Sequence, residues 1–255
     1  MKRRREPISA LTCYDAATAS LLDEAGVAVA LVGDSLGNVK LGYENTLPVS
    51  LREMIHYTRA ASRGNSKALL VADMPFLSYE ISPEEAARNA GLLVKEGGAE
   101  AVKLEGGRRS LPAVRAILAA NIPVMGHIGL TPQSIHRLGG YRVQGRSPRE
   151  ARELFADARA LDRAGVFAIV LELLPRNLAR RITRAVSAPT IGIGAGPFCD
   201  GQILVVDDLL GLTPGRRPRF VKAYAELRRD SLRAIRQWKN DVRTRRYPDA
   251  AHSYD

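Results

Sequence analysis

One phrase occurs three times in this chain and leaves few folds open to it: a helix end, a glycine, a short apolar run and then an acid. It reads Gly26-Val-Ala-Val-Ala-Leu-Val-Gly-Asp34, Gly97-Gly98-Ala-Glu-Ala-Val-Lys103-Leu-Glu105 and Gly165-Val-Phe-Ala-Ile-Val-Leu-Glu172, the acid falling seven or eight residues past the glycine. Glycine suits the left-handed cap that ends a helix, and a strand rises by a fixed step per residue, so the three acids are expected at one height of a sheet. An acid at the tip of a buried strand must be solvated, paired with a cation or bound to a metal. Singly, each reads as ordinary turn or cap chemistry. Together on one rim they read as a site.

The rest of the chain falls into the same alternation. Strands are predicted over 8–14, 27–32, 68–72, 101–105, 123–129, 167–172, 189–196 and 202–206. Helix starts stand between them: Ser50-Leu-Arg-Glu53 is a capping box, and Ser82-Pro83-Glu84-Glu85 and Ser147-Pro148-Arg-Glu150 each join a cap to a proline in the first turn. Eight strands spaced by helices at this length give an α/β chain folded as a (β/α)8 TIM-type barrel, with an open doubly wound sheet as the alternative. The expected organisation is a single barrel domain over 1–255 carrying a basic helical tail over 216–255. The alternating glycines of Gly192-Ile-Gly-Ala-Gly196 lack dinucleotide-fingerprint spacing and are read as places where the backbone approaches a ligand or a neighbouring strand.

The net charge of +11 over 255 residues would point to nucleic acid if it were spread over the fold. It is concentrated at the ends, +3 over residues 2–6 and +9 over 216–246 against −2 over 247–255, which leaves the body from 7 to 215 at +1. A nucleic-acid role is therefore disfavoured. No apolar run is long enough to cross a bilayer and the basic start lacks a signal-peptide core, so a cytoplasmic protein with no membrane partner is expected. Cys13 and Cys199 have no metal-type spacing and are read as reduced structural residues.

In a barrel the chemistry gathers at the C-terminal ends of the strands. Here those ends carry Asp34, Asp73, Lys103 with Glu105, His127 and Glu172. Lys103 and Glu105 are two apart and share a face. A lone strand-end histidine is usually a packing residue, so His127 is only a possible member of the site. Carboxylates beside one lysine, without paired histidines or cysteines, suit a hard cation such as Mg²⁺ and disfavour zinc. Such a cation beside a lysine can hold a 2-oxo acid and ease removal of the proton next to its ketone through a metal-stabilised enolate, leaving one carboxylate as the base.

Ordered motifs then carry a resemblance. Thr12-Cys-Tyr-Asp15-Ala, Val32-Gly-Asp-Ser-Leu-Gly37, Thr46-Leu-Pro48-Val, Ala72-Asp-Met-Pro-Phe76, Val102-Lys-Leu-Glu-Gly-Gly107, Gly126-His-Ile-Gly-Leu-Thr-Pro-Gln133, Gly139-Gly-Tyr-Arg-Val-Gln-Gly145 and Gly192-Ile-Gly-Ala-Gly196 with Asp200-Gly-Gln202 resemble the 3-methyl-2-oxobutanoate (ketopantoate) hydroxymethyltransferase family, from Ile8 to about Pro248. The resemblance implies a Mg²⁺-dependent homo-decameric enzyme of pantothenate and coenzyme A biosynthesis. Its substrates would be a 2-oxo acid and a folate, 5,10-methylenetetrahydrofolate giving a one-carbon unit to 3-methyl-2-oxobutanoate. By motif position Asp34 and Asp73 match metal ligands that also touch substrate, and Glu105 an acid tied to the metal partly through water. Ser35 and Lys103 match substrate contacts, and Glu172 the proton acceptor. Glu44 stands where the family usually has Asp, a departure in a loop beside the site.

Glu172 closes an apolar run and precedes Leu173, Leu174 and Pro175, so desolvation is expected to raise its pKa toward the range of a useful base. The competing role for it is a structural pair with Arg142 or Arg176. A related Mg²⁺-dependent 2-oxo acid lyase or phosphoenolpyruvate mutase is the alternative activity. In the tail, Tyr224, Leu227, Leu232, Ile235 and Trp238 predict a helix over Phe220 to Val242 whose apolar side packs on the barrel or a neighbouring subunit.

Overall fold

The computed structural model describes residues 1–215 and 217–254. Eight parallel strands follow one another around a closed barrel: β1 (Ile8–Thr12), β2 (Val29–Val32), β3 (Leu69–Asp73), β4 (Ala101–Glu105), β5 (Val124–Gly129), β6 (Ala168–Glu172), β7 (Thr190–Ile193) and β8 (Gly201–Leu204). β8 pairs back onto β1, with Ile8 opposite Gly201, so the sheet has no free edge and the open-sheet alternative is excluded. The helices are α1 (Ala16–Glu24), α2 (Leu36–Val39), α3 (Leu51–Ser62), α4 (Pro83–Lys95), α5 (Leu111–Ala119), α6 (Ile135–Leu138), α7 (Pro148–Ala164), α8 (Arg176–Ala185), α9 (Val206–Leu209) and α10 (Leu227–Arg243). Chain contacts divide into two units, Met1–Val205, which holds the barrel, and Val206–Asp255. Among the described residues no helix is long and apolar enough to cross a membrane.

The helix starts form as the sequence dictates. Both arms of the capping box are made at α3, where Ser50 Oγ accepts the Glu53 N–H at 3.2 Å and Glu53 Oε2 accepts the Ser50 N–H at 2.7 Å. The same box opens α7 with Ser147 and Glu150. Gly165 ends α7 in the left-handed conformation, φ 95°, and turns the chain into β6.

Inside the barrel each strand presents every second residue to the axis. The floor is apolar, built from Ile8, Val29, Leu31, Val71, Ala101, Met125, Ala168, Val170, Ile191 and Ile203. Two residues further along the same faces the side chains become polar: Val71 gives way to Asp73, Ala101 to Lys103 and then Glu105, Met125 to His127, and Val170 to Glu172. The barrel therefore has a dry floor and a charged mouth at the C-terminal ends of its strands.

The link from β7 to β8 contains no helix. Its glycines serve the close approach of neighbouring elements, since a Cβ on Gly196, at φ 79°, would lie 2.6 Å from Arg176 Cβ. Cys13 and Cys199 are both free thiols, and burial pushes Cys13 up to about 11, which leaves it inert.

The second unit corrects one expectation. The expected tail spanned 216–255, of which Arg216 and Asp255 lie outside the described residues. Its helix begins at Leu227 rather than Phe220. The N–H groups of Tyr224, Leu227 and Arg228 bond instead to the carbonyls of Leu209, Leu210 and Gly211 at 2.8, 3.0 and 3.2 Å, which holds the preceding segment out of a helix. No residue of α10 is buried, and Ile235 and Trp238 are 60% and 56% exposed.

Candidate active site

Strand register assembles the polar mouth. Asp73 on β3 stands opposite Lys103 on β4, Glu105 opposite His127 on β5, and Glu172 on β6 opposite Gly129. The first of these pairs becomes an ion pair, Lys103 Nζ to Asp73 Oδ1 at 2.5 Å, with both side chains buried. Lys103 thus reaches across to the next strand rather than along its own to Glu105. Burial works against its ammonium, but Asp73, Glu105 and Asp34 outweigh that and raise its pKa above the usual lysine value, so it is charged at any ordinary pH.

Asp34 comes from the loop that leaves β2, and its backbone N–H donates to Asp73 Oδ2 at 3.1 Å. Both oxygens of Asp73 are therefore engaged. Asp34 itself is buried, and its Oδ2 accepts a hydrogen bond from Gln133 Nε2 at 2.8 Å. Burial and the adjacent Asp73 charge push its carboxyl up to about 7, against the opposing pull of Lys103, Gln133 and Thr46. Ser35 follows directly, with its Oγ 2.8 Å from the Tyr14 hydroxyl.

Glu105 is 1% exposed. Its Oε2 accepts the Gln133 backbone N–H at 3.1 Å, whereas Oε1 has no hydrogen-bond partner among the described residues. Burial, then Asp34, raise its pKa well above the carboxylate range. His127 stands between the two glutamates, Nδ1 3.5 Å from Glu105 Oε1 and Nε2 3.2 Å from Glu172 Oε2. Neither approach is aligned as a hydrogen bond. Burial and the Lys103 charge hold the imidazole well below its ordinary pKa, so it is neutral.

Glu172 meets the environment its sequence promised. Burial pushes its pKa up to about 7, with Lys103 pulling the other way. Among the described residues no ion pair links it to Arg142 or Arg176, so the structural pairing considered for it is not made. Two further residues of the mouth, Gln133 and Tyr79, carried no signal of strand position. Gln133 lay within the Gly126–Gln133 motif, and that motif was the one clue to it.

The donors fit a hard divalent cation. Asp34 and Asp73 adjoin, both buried, and Glu105 Oε1 is a buried acceptor with no hydrogen-bond partner among the described residues. Among the described residues no three His, Cys, Asp or Glu side chains converge into a cage. Mg²⁺ takes one or two carboxylates and fills the remaining positions with water and substrate oxygens, so Asp34 and Asp73 are the residues that could hold it.

The sequence profile described as Ketopantoate hydroxymethyltransferase matches residues 1–250. The 3-methyl-2-oxobutanoate hydroxymethyltransferase of Moorella thermoacetica is 58% identical over 254 residues, 100% of this chain and 94% of that protein. The enzyme of the same name from Geotalea uraniireducens is 55% identical over 254 residues, 100% and 95% of the two chains. Among solved structures, 2,3-dimethylmalate lyase, a PEP mutase/isocitrate lyase superfamily member, has a TM-score of 0.60 at 16% identity, covering 99% of this chain and 88% of its own. Phosphonopyruvate hydrolase in complex with oxalate and Mg²⁺ has a TM-score of 0.63 at 13% identity, with the same coverage. These two share the barrel fold, while the sequence match over the whole chain is specific. The chain belongs to the ketopantoate hydroxymethyltransferase family.

Proposed function

We propose that this enzyme transfers a hydroxymethyl group to 3-methyl-2-oxobutanoate, giving ketopantoate for pantothenate biosynthesis, with Mg²⁺ held at Asp34 and Asp73 and 5,10-methylenetetrahydrofolate as the one-carbon donor. The observation that carries this reading is Glu172, a desolvated acid with a pKa of about 7, on the same barrel mouth as the buried Asp34, Asp73 and Lys103.

The reaction begins with loss of the C3 proton next to the ketone. Bound Mg²⁺ would draw electron density from the keto oxygen and make that C–H bond more acidic. Lys103, held charged by the acids around it, offers its ammonium to the substrate carboxylate, and Ser35 adds a hydroxyl beside Asp34. Glu172 takes the proton at a carboxylate oxygen, and its raised pKa lets it both accept a proton and return one near neutral pH. The neutral His127 adds no charge that would compete with that transfer. Water adds to the methylene carbon of the folate and its two C–N bonds break, releasing tetrahydrofolate and a carbon at the formaldehyde level. C3 then forms the new C–C bond to that carbon, and its oxygen, which came from water, takes a proton to become the hydroxyl. Glu105, tied through its Oε2 to the Gln133 backbone and with Oε1 unpartnered among the described residues, would be a further acid near the bound cation, acting through water.

A homo-oligomer belongs to the same reading, with the exposed apolar stripe of α10 as the surface offered to a second copy. The lyase and mutase alternative rests on the shared barrel alone. Incubation of the purified protein with 3-methyl-2-oxobutanoate, methylenetetrahydrofolate and Mg²⁺, followed for ketopantoate, tests the proposal. No product with any divalent metal would overturn it, and folate-independent C–C cleavage of a 2-oxo acid adduct would favour the lyase.

A further inference from the structure

Gln133 touches every loop that carries a candidate metal acid. It follows β5, and its side chain crosses the barrel mouth, buried to 5% exposure. One amide proton goes to Asp34 Oδ2 at 2.8 Å and the other to the Met74 carbonyl at 3.0 Å. Its carbonyl Oε1 accepts the Tyr79 hydroxyl at 2.7 Å, and its backbone N–H goes to Glu105 Oε2 at 3.1 Å. All the polar atoms of the side chain are spent, and the loops after β2, β3 and β4 are tied to one residue.

The orientation of the amide is not free. With nitrogen and oxygen exchanged, Oε1 would face a carboxylate oxygen and a carbonyl, two acceptors, and –NH₂ would face Tyr79. The Tyr79 hydroxyl holds the donating end toward Asp34, and it is a dependable donor because burial, then Glu105, raise its pKa well above the ordinary phenol value. Tyr79 is in turn fixed by the Glu105 N–H at 3.3 Å. The Tyr79–Gln133 pair thus occupies one chosen oxygen of Asp34 and one of Glu105. Asp34 Oδ1 and Glu105 Oε1 are left as the oxygens that receive no bond from Gln133.

We propose that Gln133, oriented by Tyr79, is a positioning residue that selects which oxygens of Asp34 and Glu105 are presented to the divalent cation. The inference rests on the metal reading above and goes beyond it by naming what prepares the ligands. Gln133 itself touches neither metal nor substrate. Outer partners of this kind shift metal affinity by about 10–100-fold when removed.

The test uses the full-length protein without substrate. Mn²⁺ binding is measured by electron paramagnetic resonance and Mg²⁺ binding by calorimetry, for the parent, Gln133→Met and Tyr79→Phe. Gln133→Met keeps the length of the side chain, removes both amide protons and adds no charge, and is expected to weaken both cations by about 10–100-fold. Tyr79→Phe keeps the ring but releases the amide to flip, and is expected to weaken them less, with a raised requirement for metal in turnover. Thermal unfolding of the metal-free variants is run in parallel. Parent affinity in both variants, or a loss of metal-free stability with affinity unchanged, would overturn the positioning role alone. A parent protein that binds neither cation would instead overturn the metal reading beneath it.

Discussion

Glu172 Oε2 lies 3.2 Å from Nε2 of His127, a glutamate with a pKa of about 7 against an imidazole that stays neutral. The pair carries no cation, so its proximity does not ionise Glu172 as an arginine would. Burial raises the pKa of the acid, and the charge of Lys103 pulls it the other way.

A pH dependence follows. As the acceptor, Glu172 must be ionised, so removal of the C3 hydrogen should speed up as pH rises through about 7 and then level off. The rate of exchange with deuterated solvent against pH checks this, and a profile flat from pH 5 to 9 would exclude Glu172 as the titrating base.

The same shift acts on stability with the opposite sense. A carboxyl whose folded pKa is about 7 against an ordinary 4.5 favours the folded state fully below pH 4.5, and that contribution is lost as pH rises through 7. The loss is on the order of 3 kcal/mol at full effect. Glu172→Gln removes this dependence, so the metal-free variant should gain on the parent in thermal unfolding from pH 5 to pH 8. An unchanged difference between the two pH values would count against the buried-acid description.

Asp73 and Lys103 form a buried pair, and such a pair is costly to break from one side because the remaining charge has no partner: about 3–5 kcal/mol. Lys103→Met is therefore expected to lower the melting temperature of the metal-free protein strongly. Mg²⁺ should restore part of the loss, since a cation at Asp73 replaces the missing ammonium. Destabilisation of equal size with and without Mg²⁺ would place the cation elsewhere.

How far the sequence carries this site depends on what kind of signal each residue leaves. Capping pairs such as Ser50 with Glu53 are local, and the strand-tip acids repeat at a readable distance from their glycines, so both could be read directly. The partner of Lys103 could not, because it depends on the register between β3 and β4, which neither strand encodes alone. Gln133 and Tyr79 come from loops with no periodicity, and only the folded mouth brings them to Asp34 and Glu105. The start of α10 was read too early because amphipathic spacing continues into 220–226, where bonds to the carbonyls of Leu209, Leu210 and Gly211 compete with the helix.

The stripe of Leu232, Ile235, Trp238 and Val242 lies exposed on α10 among basic residues. If it meets a second copy, Ile235→Asp with Trp238→Ser should give a smaller particle in light scattering with the barrel still folded by circular dichroism. A particle of parent size would remove α10 from the assembly, and salt-sensitive RNA retention by the parent would give the basic face another use.

The identity of the base can be separated from the rest of the reaction. Exchange of the C3 hydrogen of 3-methyl-2-oxobutanoate needs the oxo acid, the metal and the base, but no folate. Glu172→Gln keeps the length and hydrogen-bonding shape of the side chain yet cannot take a proton at an anionic oxygen. It should bind the oxo acid and Mg²⁺ as the parent does while losing exchange by at least about 100-fold, within the range general-base catalysis supplies. His127→Asn tests the neighbour: a neutral imidazole that only packs beside Glu172 should leave exchange within a few fold of the parent, with the pH midpoint still near 7. Parent-rate exchange in Glu172→Gln, joined to its loss in His127→Asn, would move the base to His127 and overturn the assignment.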